Sequence, residues 1–168
     1  MAELTFKDRL QPALLDRLSD DEPDKKQEPR EARLITRNRL RQAVMRDLAW
    51  LFNATRLGNT ADFAGSPYVE RSVVNFGLPA LSGETASTLD VLALERTMRQ
   101  AIIDFEPRII ATTVEVHAVV SEVELDHHNV ISMEIRGSLW GQPTSVELLL
   151  RTEVDLETGE VEISDLAG

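Results

Sequence analysis

The spacing of apolar residues along this 168-residue chain changes at Pro107, and this change constrains the fold more than any other feature. Before it, apolar residues recur every three or four positions, as at Leu94, Met98 and Ile102, which is typical of a helix with one buried face. From Val114 onward they alternate with polar residues, which is typical of a strand with one buried face. Helices followed by antiparallel strands predict an α+β fold.

Two helices are predicted in the first third of the chain. A short one covers 4–18, and a longer one covers 30–55. Gly58 and Asn59 are expected to end the longer helix, because both residues favour the backbone conformation that follows a helix C-terminus. The apolar stripes are Leu10, Leu14 and Leu18 in the short helix and Leu40, Val44, Leu48, Leu51 and Phe52 in the longer one.

The segment that follows, 58–87, contains several Gly and Pro residues and is predicted to be irregular. One or two helical turns are expected within it, over 67–75, since proline fits the first turn of a helix. A further helix is predicted over 88–106, with Ser87 or Thr88 as its N-cap.

Three to four strands are predicted after the last helix. Alternating patterns over 114–120, 131–136 and 145–156 give three strands, and the turn at 158–159 leads into a short fourth one through 161–163. The expected architecture is therefore α+β, with N-terminal helices packed on a C-terminal antiparallel sheet of about three to four strands.

A polar, proline-containing stretch at 20–26 separates the short first helix from the rest of the chain. We therefore divide the chain into an N-terminal short helix with its linker, 1–29, and a single α+β domain, 30–168. Residues 1–29 have a high charge density and a short apolar stripe, which predicts that this region is flexible on its own.

The formal net charge of −11 is unevenly distributed. Residues 109–168 carry twelve acidic and two basic side chains, whereas seven of the 18 basic residues lie between Arg30 and Arg56. Such an acidic surface repels duplex nucleic acid, so no nucleic-acid partner is expected. The asymmetry suits orientation against a protein of opposite charge, although a solvated acidic face is the commoner explanation.

Several classes of protein are excluded by composition. The chain has no Cys, which excludes disulfides and thiolate metal sites. Its longest apolar runs, such as 148–150, are far shorter than the roughly 20 residues that cross a bilayer. The N-terminal residues do not have the basic and then apolar pattern of a signal peptide. We expect a cytoplasmic protein without direct membrane insertion.

Common catalytic and metal-binding motifs are absent from the sequence. It has no Gly-x-Ser-x-Gly, no phosphate loop ending in Lys-Ser/Thr and no His-Glu-x-x-His. His117 lies in a predicted strand, while His127 and His128 lie in a predicted turn near Glu124 and Asp126. Neighbouring residues of a turn rarely converge on one ion, so a polar hairpin is favoured over a metal site. No cofactor is expected.

The candidate site is the sequence Glu106-Pro107-Arg108, at the boundary between the last predicted helix and the sheet. Proline disfavours the helical conformation of the preceding residue and fixes its own φ, so the two charges are held on a stiff corner. A carboxylate at a helix C-terminus is unfavourable, so Glu106 needs a positively charged partner within the fold or on another chain. Without further context, a helix stop with an incidental ion pair would explain the same residues.

Four short motifs supply that context, because in this order they resemble the TssE family of type VI secretion baseplate subunits. This family is related to the phage contractile-tail baseplate wedge proteins, which have been labelled lysozyme-like. The resemblance extends from about residue 10 to residue 155. The motifs are Leu14-Leu15-Asp16-Arg17-Leu18, Arg46-Asp47-Leu48-Ala49-Trp50-Leu51-Phe52-Asn53, Ser72-Val73-Val74-Asn75-Phe76-Gly77-Leu78-Pro79 and Phe105-Glu106-Pro107-Arg108-Ile109.

The resemblance implies a structural role rather than an enzymatic one. It implies a subunit that joins the baseplate wedge beside TssF and TssG and helps template the contractile sheath of TssB and TssC. Glu106, Pro107 and Arg108 match the Glu-Pro-Arg signature that the family associates with assembly contacts. An antiparallel sheet agrees with this role, since an outer strand offers unpaired main-chain groups to a strand of another chain.

Two other functions are considered. The lysozyme-like label suggests a glycoside hydrolase with Glu106 as general acid and Asp104 or Glu115 as the second carboxylate, which requires two carboxyl groups about 5 to 10 Å apart across a sugar cleft. The low aromatic content, 5%, is unfavourable for sugar binding. The third function is a general adaptor that binds an acidic partner through the arginine-rich helix.

Overall fold

The computed structural model describes residues 13–18, 24, 36–58, 63, 65–66, 68–81, 89–119, 130–140 and 145–166. Within these described residues lie three α-helices followed by four strands, which confirms the α+β fold. The helices are α1 (Leu14–Leu18), α2 (Arg37–Phe52) and α3 (Val91–Phe105), and the strands are β1 (Glu115–Val119), β2 (Val130–Leu139), β3 (Val146–Asp155) and β4 (Val161–Asp165). Two single 3₁₀ turns, Val73–Asn75 and Ala111–Thr113, lie between them.

Helix α2 begins and ends at polar side chains. The Thr36 hydroxyl accepts a hydrogen bond from the Arg39 N–H at 3.2 Å and so caps the N-terminus. The helix ends at Phe52, so the prediction that it continues to residue 55 and ends at Gly58 and Asn59 was wrong. Asn53 leaves the helical conformation because its side-chain amide binds the main chain of Val161 in β4. The predicted first turns, 30–35, lie outside the described residues.

Helix α3 begins later than predicted. Its N-cap is Asp90, whose carboxylate accepts from the Ala93 N–H at 3.0 Å, so the assignment of Ser87 or Thr88 was wrong. Asp90 has the short acceptor side chain that an N-cap needs. The predicted apolar stripes of both long helices are confirmed as core, with only Phe105 half-buried; the buried residues are Leu40, Val44, Leu48, Leu51, Phe52, Leu94, Met98, Ala101 and Ile102.

The four strands form one antiparallel sheet in the order β1-β2-β3-β4. Its apolar face packs on α2 and α3, and the alternating residues predicted from sequence lie on that face, such as Val116, Ile135 and Leu150. The opposite face carries charged residues, such as Glu153 and Arg136. The helices therefore cover one face of the sheet, and the outer strands β1 and β4 form its two edges.

Helix α1 contacts the rest of the chain through its polar side. Asp16 faces α2 and pairs with Arg46, whereas Leu14 and Leu18, both predicted on one apolar stripe, are 68% and 73% exposed. The remainder of the predicted helix over 4–18 lies outside the described residues, apart from Ala13. The boundary between 1–29 and 30–168 also falls in a stretch that is not described, so the domain division stays a prediction.

The segment between α2 and α3 is held by its own hydrogen bonds and contacts the C-terminal end of α3. Within the predicted helical turns at 67–75, the structure has the 3₁₀ turn Val73–Asn75. The buried Asn75 accepts from the Gly58 N–H at 3.1 Å and donates to the Glu70 carbonyl at 3.0 Å. The Phe76 ring contacts the Phe105 ring edge to face at 5.3 Å between centroids, so this segment lies against the C-terminal end of α3.

None of the helices among the described residues has the length and apolar character that spanning a bilayer requires.

Candidate functional site

The corner after α3 is a tight turn formed by the predicted site residues. The Glu106 N–H still donates to the Ile102 carbonyl at 2.9 Å, but its φ of −119° and ψ of 79° end the helix. The Glu106 carbonyl then accepts from the Ile109 N–H at 3.1 Å, which places Pro107 and Arg108 at the centre of a four-residue turn. The conformational effect of proline on Glu106 is therefore the one that the sequence predicts.

The charged side chains of the corner bind each other. Arg108 donates from Nε to Glu106 Oε1 at 2.7 Å and from Nη2 to Oε2, which is a bidentate pair. Oε1 also accepts from the Arg108 main-chain N–H at 3.1 Å. Glu106 is 4% exposed and the Arg108 side chain 23%. The partner that a buried carboxylate needs is thus supplied within the chain.

Helix α2 adds a second carboxylate to the corner. Arg108 Nη2 also donates to Asp47 Oδ2 at 2.5 Å. Asp47 Oδ1 in turn accepts from Arg46 Nε at 2.9 Å and Nη2 at 2.8 Å, and Arg46 Nη1 donates to Asp16 Oδ1 of α1 at 2.7 Å. We call these five residues, Glu106, Arg108, Asp47, Arg46 and Asp16, the charge ladder.

The charge ladder joins three helices. Its charges alternate in sign, with three carboxylates and two guanidinium groups, so every guanidinium lies between two carboxylates. The Arg46 guanidinium also lies 5.1 Å from the centroid of the Trp50 ring, which is favourable for a cation beside an aromatic face. The corner is therefore fixed relative to α1 and α2 as well as to α3.

The pairing stabilises the charged form of both arginines. Burial alone lowers the pKa of Arg108, but its hydrogen bonds and charge interactions with Glu106 and Asp47 raise that pKa above the ordinary value. The hydrogen bond to Asp16 is the largest cause of the raised pKa of Arg46; burial lowers this pKa, and the hydrogen bond and charge of Asp47 raise it further. Both sets of contacts therefore favour the charged form of the guanidinium.

The geometry is unsuited to proton donation by Glu106. A general acid in a glycosidase must carry a proton and point it at the leaving oxygen. Both Glu106 oxygens instead accept hydrogen bonds from the Arg108 guanidinium, and the side chain is buried, so both oxygens act as acceptors within the chain. Asp104 is bound by Arg71 Nε at 2.8 Å and Gln100 Nε2 at 3.0 Å, and Glu115 lies exposed on β1.

The other candidate residues lie elsewhere. His117 is exposed on β1, and no group of three or more His, Asp or Glu suited to a metal ion occurs among the described residues. His127, His128, Glu124 and Asp126 are outside the described residues. Of the arginines in the arginine-rich segment, Arg41 pairs with Asp165 at 2.7 Å and Arg46 belongs to the charge ladder.

Sequence reasoning found the corner but missed its partners. Asp47 and Asp16 occur in the sequence motifs without an assigned role, and Arg46 is one of the arginines of the longer predicted helix that could bind an acidic partner. One signal was present, because Arg46 and Asp47 are the only adjacent charged pair within the apolar half of α2, between Val44 and Phe52. The distance in sequence from Asp47 to Arg108, 61 positions, is what concealed the contact.

Comparison with known proteins supports one family. The model of the family described as baseplate wedge protein gp25 matches residues 38–144, which is more than half of the chain. The matched range includes four residues of the charge ladder, Arg46, Asp47, Glu106 and Arg108, and confirms the resemblance drawn from the sequence motifs. Searches of curated proteins and of solved structures gave no match.

Proposed function

The chain belongs to the baseplate wedge protein gp25 family, and from this we propose that it is the TssE subunit of a type VI secretion baseplate. A structural role in a contractile-tail baseplate follows from the family. The finer assignment to type VI secretion rests on the four ordered sequence motifs. In this role the chain joins the wedge beside TssF and TssG in the cytoplasm and helps template the sheath of TssB and TssC.

The observation that carries the docking role is the fixed position of Arg108. Its guanidinium is held between the carboxylates of Glu106 and Asp47, on two different elements, and the Arg108 side chain as a whole is 23% exposed beside the exposed Pro107. Groups that are rigid before binding lose little conformational entropy on binding. A rigid corner of this kind suits a permanent assembly contact.

Glu106, Pro107 and Arg108 have different roles in the proposed contact. Pro107 and Arg108 form the surface that a wedge partner touches, because they are the exposed and part-exposed residues of the corner. Glu106 is buried and acts by positioning Arg108. The proposal is for a non-enzymatic subunit, since the geometry of Glu106 favours this positioning role over acid catalysis.

The experiment is co-purification of the chain with TssF and TssG. Alanine variants of the corner are poor probes, because removing Arg108 leaves a buried carboxylate without its partner. Arg108→Lys keeps the positive charge but loses the planar, bidentate geometry. We expect this variant to remain folded, as judged by circular dichroism, and to be recovered with TssF and TssG in at most a tenth of the wild-type amount.

Arg136→Lys is the matched control. Arg136 pairs through Nε with the glutamate two positions before it, Glu134, at 2.5 Å, but lies on the charged face of the sheet away from the corner. It should co-purify like the wild type. Equal recovery of both variants would overturn the assignment of the corner. Peptidoglycan hydrolysis by the wild type that is lost in Glu106→Gln would instead establish the glycosidase.

A further inference from the structure

The two tryptophans of the chain are almost equally exposed but differ in their contacts. Trp50 on α2 is 53% exposed, and Trp140, directly after β2, is 54% exposed. The Arg46 guanidinium lies 5.1 Å from the centroid of the Trp50 ring. Within the described part of the chain, the indole of Trp140 has no hydrogen bond, ring contact or cation contact. Trp140 is therefore the tryptophan whose ring has no polar or aromatic partner there.

The main chain of Trp140 is bonded to the corner after α3. Its N–H donates to the Arg108 carbonyl at 2.7 Å. The preceding residue, Leu139, forms an antiparallel bridge with Ile109, so Arg108 and Trp140 lie opposite each other across this short pairing. The backbone of Trp140 is therefore fixed relative to the corner, and its ring is not needed for this attachment.

The side chain of Trp140 points away from the helices. Leu139 is fully buried in the core, and successive side chains of a strand point to opposite faces of the sheet, so Trp140 faces outward. Pro107, the exposed residue before Arg108, lies at the same end of the sheet. Pro107 and Trp140 together give the corner an apolar outer surface.

The charged groups of the corner are occupied inside the chain. Arg108 uses Nε and Nη2 to bind Glu106 and Asp47, and its remaining nitrogen, Nη1, is buried. Glu106 is itself buried. A partner at this surface therefore gains little by bringing a charge, because the polar atoms that would bind it are already bonded or inaccessible. The apolar surface is the part of the corner that remains for recognition.

An exposed indole on a rigid support has the properties of an interface anchor. Tryptophan is enriched among the residues that carry most of the binding free energy, because its large ring removes much apolar surface from water. Trp140 is held by its main chain and Pro107 has a fixed φ, so little conformational entropy is lost on binding. Such an anchor fits a pocket of apolar side chains with a hydrogen-bond acceptor for the indole N–H.

We propose that Trp140 is the anchor of the wedge contact and inserts, with Pro107 beside it, into an apolar pocket of the TssF–TssG complex. The pocket supplies an acceptor for the indole N–H and no charged partner for Arg108. This inference rests on the proposed function, in which the corner contacts the wedge, and it adds the residue that carries most of the affinity. A second copy of this chain is a less suitable occupant, because the net charge of −11 opposes self-association.

Fluorine NMR of the full chain tests whether the wedge covers Trp140. Labelling with 5-fluorotryptophan gives one signal each for Trp50 and Trp140, and the variants Trp50→Phe and Trp140→Phe assign them. On addition of unlabelled TssF–TssG complex, we expect the Trp140 signal to shift and to lose at least half of its response to the exchange of H₂O for D₂O. The Trp50 signal should keep its position and response, which makes it the internal control.

Calorimetric titration with the same complex tests how much Trp140 contributes. Trp140→Ala should remain folded, as judged by circular dichroism, because about half of the side chain is already exposed, and should raise the Kd at least thirtyfold. Leu92→Ala is the matched control, since Leu92 is 65% exposed near the start of α3, at the opposite end of that helix from the corner. It should leave the Kd within twofold of wild type.

Salt distinguishes an apolar pocket from a charged one. The factor between the Kd of Trp140→Ala and that of the wild type should be the same at about 0.1 M and about 0.5 M NaCl, because salt screens charge interactions and not apolar contacts. A factor that falls with salt would overturn the apolar pocket.

The remaining outcomes separate this inference from the proposed function. An unchanged Trp140 signal in a complex that forms, or a Kd for Trp140→Ala within twofold of wild type, would overturn the inference and leave the proposed function intact. A Trp140 signal that shifts with the concentration of the chain alone would also overturn the inference, since a second copy would then cover the ring. Absence of binding by the wild-type chain would overturn both.

Discussion

Arg108 donates a hydrogen bond from Nη2 to Asp47 Oδ2 at 2.5 Å, and so joins the corner after α3 to the middle of α2. The same guanidinium binds Glu106, so one side chain holds two carboxylates from different elements. Because Asp47 also binds Arg46, and Arg46 binds Asp16, a change at any of these residues is expected to affect the others.

Asp47 is the central carboxylate of the charge ladder, and we expect Asp47→Asn to destabilise the protein. The change leaves Arg46 and Arg108 without the charge that lies between them, which should lower the free energy of unfolding by about 2 kcal/mol. Urea denaturation followed by circular dichroism measures this. Glu147→Gln, an exposed carboxylate on β3, is the control and should change stability by less than about 0.5 kcal/mol. A stability equal to wild type for Asp47→Asn would show that the charge ladder contributes little.

Gly77 has a φ of 123°, and a Cβ there would lie 2.2 Å from the Ala54 carbonyl oxygen. This close approach accompanies the bridge in which Leu78 and the 54–56 backbone exchange hydrogen bonds. We expect Gly77→Ala to cost about 3 kcal/mol, from backbone strain and overpacking together. Gly65→Ala is the control, since nothing lies within 4 Å of a Cβ at that position. Similar melting temperatures for the two variants would contradict the geometry.

Asn53 links the end of α2 to the edge of β4. Asn53→Ala removes both hydrogen bonds to Val161 and the one to Ala49, and we expect a loss of about 2 kcal/mol of stability. Hydrogen exchange gives a local readout, because the Val161 amide should exchange at least tenfold faster. Unchanged exchange at Val161 in a destabilised variant would mean that the edge is protected by other contacts.

Glu153 and Glu162 lie directly opposite each other on β3 and β4. Like charges at this spacing repel, so Glu153→Gln should stabilise the protein by about 0.5 kcal/mol. Glu162→Gln should give a similar gain, and the double variant should gain less than the two single changes together, because the repulsion is removed only once. Fully additive gains in thermal denaturation would show that the two carboxylates do not interact.

The regular parts of the fold were predictable because their periods are local. The stripe from Leu40 to Phe52 and the alternation from Ile131 to Ile135 each reflect one buried face, and both lie in the core as expected. The corner was predictable for the same reason, since the effect of Pro107 on Glu106 acts between neighbours.

Contacts between distant segments could not be predicted from such patterns. The end of α2 is set by the binding of Asn53 to Val161, and the partner of Arg108 is Asp47, which precedes it by 61 positions. The orientation of helix α1 could not be predicted either. Its leucine stripe suggests a buried face, but Asp16 pairs with Arg46, so the polar side of the helix faces the rest of the chain.

The affinity of the folded chain for a purified TssF–TssG complex, measured by isothermal titration calorimetry, tests the docking role of the corner most directly. The account predicts that Arg108→Lys raises the Kd at least tenfold while Arg136→Lys leaves it within twofold of wild type. Equal Kd values for Arg108→Lys and the wild type, with both proteins fully folded, would contradict it.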